Sequence, residues 1–155
     1  MLFRSTAVPW EFLAFVKLRA VGGDSRLGDR IEAETRTIIH RRAIELPTSV
    51  LAAETRRVRT ALEESRGRRP RSNDVDIKYA PGGLLDIYFV TRYLQLRDNV
   101  PDEGTDRSTL GMITRLLQAG SIGRDAADEL AAGYEMLARL DHSVRLTVEI
   151  GRAHV

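Results

Sequence analysis

The chain has 155 residues, 43% hydrophobic and 30% charged, with a formal net charge of +2. That length and balance suit one packed domain, or one and a half, and argue against disorder. So small a net charge gives no argument for nucleic acid as a partner, and the absence of cysteine excludes a disulfide framework, a thiolate metal site and a cysteine nucleophile while fitting a reducing cytoplasm.

The two ends are set aside first. Met1 to Ser5 and Glu149 to Val155 back-translate, with one choice of codons, into the insert-facing ends of sequencing adapters, in the expected orientation. Both segments, 1–5 and 149–155, read as scars. Residues 6–148 are then the natural sequence, and a fragment of a longer protein is expected.

Pro9, Trp10 and Glu11 read as a helix start, because proline is tolerated in a first turn. Trp10, Leu13, Ala14, Leu18 and Val21 share one helical face, and Gly22 with Gly23 stops the helix. The stretch Trp10 to Val21 is broken by Glu11, Lys17 and Arg19, so no run reaches the roughly 18 apolar residues of a membrane span. No membrane partner is expected. Asp24 or Ser25 caps a second helix, whose predicted apolar stripe is Leu27, Ile31, Ile38 and Leu46. Pro47 ends it, and Thr48 or Ser49 caps a third. There Leu51, Val58, Ala61 and Leu62 are expected inside, with Arg56, Arg57, Arg59, Glu63 and Glu64 in water.

Residues 66–74 contain no large apolar side chain and read as a loop. Residues 76–79 suggest a very short extended segment before the break at Pro81, Gly82 and Gly83. From Leu84 to Leu96 the chain is apolar on nearly every side, which predicts a buried central helix. After a loop from Asn99 to Thr105, Leu110, Ile113 and Leu117 mark a short helix ending at Gly120. Leu130, Tyr134, Leu137 and Val144 mark a last one from about Arg124 to Leu146. The expected fold is all-α, a bundle of about six helices.

The segment Asp76 to Leu96, DIKYAPGGLLDIYFVTRYLQL, resembles the signature DIKxxxGGIxDIEFxxQxLxL of bacterial glutamine synthetase adenylyltransferases, and more loosely the uridylyltransferases of the PII signal protein. Trp10-Glu11 through Lys17, Arg19 and Gly23-Asp24 is similar to the family's WExxALxKARxxxGD segment. Leu140-Asp141-His142 resembles a leucine, acid, histidine run near the end of its helical domain. The resemblance implies that 6–65 are helices following a missing nucleotidyltransferase domain, 66–83 a loop and glycine turn, and 84–148 a helical domain. It also implies a cytoplasmic parent enzyme that moves AMP onto or off a tyrosine of glutamine synthetase with ATP and magnesium, in contact with glutamine synthetase and PII. The glycine-serine and Asp-x-Asp elements that would hold magnesium belong to the missing nucleotidyltransferase domain, so no metal ligand is assigned within this sequence and neither catalysis nor tight ATP binding is expected of the isolated chain.

Two positions depart from the signature, Tyr88 for its glutamate and Arg92 for its glutamine. A catalytic glutamate would make this a degenerate or regulatory copy; a structural one would leave activity intact. Gly82 and Gly83 make either a tight turn or a loop whose N–H groups open a helix toward a phosphate. Lys78 reaches the same anion or lies in solvent. Asp76 adds a carboxylate near the missing metal site or pairs with an arginine, and Asp86 favours the positive end of the helix in either case. His40 and His142 lack a partner at metal-ligand spacing and read as packed or surface residues. Two functions remain: the helical part of the enzyme, or a non-catalytic helical module that binds glutamine synthetase or PII.

Overall fold

A computed structural model describes the backbone at residues 8–65, 76–104 and 106–153, with side chains up to residue 146. The first scar, 1–5, and the predicted loop at 66–74 lie outside the described residues. Six helices make up the fold among those residues, with no strand: α1 (Pro9–Phe15), α2 (Ser25–Glu45), α3 (Thr48–Ser65), α4 (Leu84–Arg97), α5 (Thr109–Gln118) and α6 (Arg124–Ala153). None is long and apolar enough to cross a membrane.

Local chemistry sets most of the boundaries. Asp24 accepts the Leu27 N–H at 2.9 Å and caps α2, and Ser108 accepts the Gly111 N–H at 3.0 Å and caps α5. Val50 and Leu51 donate back to the Pro47 carbonyl at the start of α3. Gly120 takes a φ of 72° just beyond the C-cap of α5.

α4 touches all five other helices. On one side Phe89 and Leu96 pack with Phe12, Leu13, Val16, Ile39, Ala43 and Leu51 from α1, α2 and α3. On the other, Ile87 meets Ile113 and Ala127, backed by Leu130, Tyr134 and Leu137 of α6. Leu94, Val100, Met112 and Leu116 close the remaining end. The central helix is therefore where the sequence puts it.

Three local expectations are corrected. α1 stops at Phe15, so its buried residues are Phe12, Leu13 and Val16, while Val21 is 88% exposed and Trp10 42%. Beyond it the chain is drawn onto α2: the Ala20 N–H donates to Glu32, and a Cβ on Gly28 would lie 2.6 Å from that of Ala20. This tertiary contact overrides the helical pattern. In α2 the buried face is Gly28, Thr35, Ile39, His40 and Ala43, rotated from the predicted stripe by contact with α1 and α4, and Leu27 is largely exposed. Finally, residues 76–79 are a turn and not an extended segment, because the Asp76 carboxylate folds back onto the N–H groups of Lys78 and Tyr79 at 3.1 and 2.9 Å.

Candidate functional site

Asp76, Gly82, Gly83 and Asp86 come together in one corner leading into α4. The Ala80 N–H donates to the Asp76 carbonyl at 3.0 Å, completing the Asp76 turn. Gly82 adopts φ 78°, where side-chain-bearing residues are strained, and its N–H donates to Asp86 Oδ2 at 2.6 Å. At Gly83 the constraint is space: a Cβ would lie 2.7 Å from the Ile77 carbonyl oxygen and 2.8 Å from that of Ala80. The Gly83 N–H donates to Ala80, Leu84 to Ile77 and Leu85 to Lys78, at 2.9, 3.0 and 3.1 Å.

Arg59 closes the corner from α3. Its Nε donates to Asp86 Oδ1 at 2.6 Å, Nη2 to the Tyr79 carbonyl at 2.8 Å and Nη1 to Glu63 at 3.0 Å. Expected in water, its side chain is only 12% exposed. The N–H groups a phosphate would use at this helix start are thus engaged by protein acceptors. Lys78 differs: its ammonium sits 5.3 Å from the Tyr79 ring centroid and has no hydrogen bond or ion pair among the described residues.

A second polar region lies at the opposite end of α4, where the loop after α1 meets the loop before α5. Lys17, Arg19, Asp102, Arg107 and Ser108 line a cavity of about 440 Å³. Asp102, 1% exposed, receives Arg115 Nη2 at 2.6 Å and has Arg107 Nε 3.6 Å away. Arg107 also donates to Glu32 at 2.7 Å. The Glu32 carboxyl is held below its ordinary range by the Ala20 N–H and then by Arg107. Arg92, whose charge is felt at Lys17, and Gln95 are fully buried and bonded to each other at 2.7 Å. Among the described residues Arg92 Nε and Nη2, Asp102 Oδ2 and Arg115 Nε have no hydrogen-bond partner. Burial lowers the pKa of Lys17, and the Arg92 charge lowers it further.

The two departures from the signature touch each other. Tyr88 and Arg92 stand four residues apart on α4, and the guanidinium carbon lies 5.4 Å from the ring centroid. His40 is buried against Asn99, Nδ1 to Oδ1 at 3.1 Å, whereas His142 is exposed. The described carboxylates and histidines do not gather into a set of three or more that would hold a metal ion, so no chemical step through magnesium is assigned to these residues.

Sequence reasoning found the corner but passed over the cavity. Lys17 and Arg19 were matched as part of a motif without a chemical role, and Asp102 fell in a segment read as plain loop. The available signal was the density of charge in Asp102, Glu103, Asp106 and Arg107, which is high for a mere connection between two buried helices.

The GlnD PII-uridylyltransferase family matches residues 56–149. A bifunctional glutamine synthetase adenylyltransferase/adenylyl-removing enzyme of Chromobacterium violaceum is 31% identical over 147 residues, covering 91% of this chain and 16% of the relative. Enzymes of the same description from Mycobacterium bovis and Mycobacterium marinum are 32% and 33% identical, each covering 99% of this chain and 15% of the relative. The chain thus spans about a sixth of the length of the curated relatives it matches. No solved structure matches it. With more than half of its residues matched, the chain belongs to the GlnD PII-uridylyltransferase family.

Proposed function

We propose that the chain serves as the helical region of a glutamine synthetase adenylyltransferase/adenylyl-removing enzyme, packing on a nucleotidyltransferase domain and helping to position nucleotide or substrate protein. The observation that carries this reading is the similarity to bifunctional enzymes along 99% of the chain, across α1 as well as the corner and α4. In this reading the parent works in the cytoplasm with ATP and magnesium, contacts glutamine synthetase and PII, and so regulates nitrogen assimilation. Asp76, Gly82, Gly83 and Asp86 fix the corner, and Lys78 is the cation it presents to a nucleotide phosphate. The contact between Tyr88 and Arg92 favours a paired exchange in helix packing over loss of a catalytic group.

The test is made in the full-length parent, by transfer of labelled AMP to glutamine synthetase. Lys78→Ala should lower transfer while leaving the helical circular dichroism intact; full activity in that variant would remove the corner from the nucleotide site. A second reading, a module that only binds its partner, draws on the exposed apolar side chains Met136, Leu140 and Val144 at four-residue spacing on α6. Binding of glutamine synthetase by the isolated chain, with an inactive parent, would favour it.

A further inference from the structure

The cavity between the loop after α1 and the loop before α5 is surrounded by more positive than negative charge. Lys17, Arg19 and Arg107 at its wall, with Arg92 and Arg115 near them, stand against Asp102, Glu32 and Asp106, whose carboxylate accepts the Ser108 N–H. The carboxylates are already committed, Asp102 to Arg115 and Arg107, Glu32 to Arg107 and at 3.9 Å to Arg36. Among the described residues Lys17 and Arg19 have no carboxylate within ion-pair distance, and fully buried Arg92 keeps two N–H-bearing atoms without an acceptor. A purely structural ion network would satisfy its buried members, since an unpaired buried charge is costly. This one leaves donors of Arg92 and Arg115 and one oxygen of Asp102 without hydrogen-bond partners among the described residues.

We infer that this cavity is an anion site for a phosphate group, held by Lys17, Arg19 and Arg107 with Ser108 at its rim. Its donors come from two separate chain segments. A tetrahedral phosphate accepts hydrogen bonds from several directions, whereas a carboxylate accepts close to one plane. Ser108 is also the N-cap of α5, which brings the positive end of that helix to the rim. The buried Asp102 does not oppose the anion: Arg115 at 2.6 Å neutralises it, and the Arg107 guanidinium lies 3.6 Å from its other oxygen. A cavity of about 440 Å³ exceeds a single phosphate and has room for a diphosphate. Because Arg19 is exposed and Lys17 only half-buried, binding should be modest and salt-sensitive. This site is separate from the corner and is measured on this chain alone, so it and the enzyme reading can fail independently.

The test is isothermal titration calorimetry of the 155-residue chain at low ionic strength. The probes are orthophosphate, pyrophosphate and magnesium-free ATP, with succinate as the dicarboxylate comparison. Saturable binding of pyrophosphate is expected, weakened at least about tenfold, which is ~1.4 kcal/mol, by Lys17→Ala and by Arg107→Gln, and unchanged by Arg57→Ala. Equal affinity for pyrophosphate and ATP means that phosphate alone is read; tighter ATP means that the nucleoside adds contacts. Arg107→Gln loses an internal ion pair, so unfolding of that variant is checked by circular dichroism, and Lys17→Ala then decides. Absence of saturable phosphate binding, binding unaffected by Lys17→Ala, or succinate binding as well as pyrophosphate would each overturn the assignment.

Discussion

The two ends of α4 carry polar clusters of opposite character. At its start, Asp76, Gly82, Gly83, Asp86 and Arg59 answer one another's hydrogen-bonding groups, and the corner is a joint. Toward its other end, the fully buried Arg92 and Asp102 and the partly buried Arg115 keep atoms unpartnered among the described residues, near a cavity. Buried polar groups are normally satisfied, so the cluster that is not satisfied is the better candidate for a ligand. Sequence similarity drew attention to the first cluster, because a glycine pair and an Asp-Ile-Lys run are conspicuous in one dimension. The second is assembled from residues 17 to 115 and exists only after folding.

Both clusters hang on α4, so the largest effect comes from loosening that helix. Phe89 is 6% exposed among α1, α2 and α3 side chains, and Phe89→Ala should cost roughly 3–5 kcal/mol in a denaturant titration. Arg57→Ala, an exposed residue paired only to Glu54, should scarcely move the midpoint. Equal losses would mean that α4 does not organise the core.

Arg59→Ala opens the corner alone. Removing hydrogen bonds between charged groups and leaving the Tyr79 carbonyl without its donor should cost roughly 1.5–3 kcal/mol. Phosphate binding at the cavity should be unchanged; a parallel loss there would mean that the two ends are not independent. Gly83→Val should cost roughly 1–3 kcal/mol, because its Cβ meets backbone oxygens that cannot rotate away. A neutral result would show that the corner is looser than its hydrogen bonds suggest.

The cavity end should respond to pH through His40. Burial depresses the His40 pKa below its ordinary value of 6.5, outweighing the hydrogen bond to the Asn99 side-chain oxygen; Arg36 lowers it further, and Glu103 and Asp102 raise it. The unfolded chain then binds more protons than the folded one between the two values. This part of the stability is fully present above the ordinary pKa and is lost as pH falls toward the folded one. His40→Gln should flatten the dependence in urea titrations between about pH 5 and about pH 7.5. An unchanged slope would assign it to other groups.

How much was legible follows from the range of each signal. The six helices were readable because many of their boundaries are written locally, in Pro9, Asp24, Pro47, Gly83 and Gly120. The family was readable because its motifs are short and ordered. The buried face of α2 was not, since Ile38 and Ile39 are equivalent in sequence and only contact with α1 and α4 selects Ile39. Arg59 resembled its solvated neighbours until the turn at Tyr79 came within its reach. The cavity was hidden because Lys17 and Asp102 meet only across the folded bundle.

The contrast between a satisfied joint and an open cavity is tested most directly by amide NMR spectra of the isotopically labelled chain, recorded as pyrophosphate is added. The account predicts progressive shifts at Lys17, Arg19, Asp102, Arg107 and Ser108, with Gly82, Gly83 and Asp86 unmoved. Shifts confined to the corner, with the cavity residues silent, would contradict it.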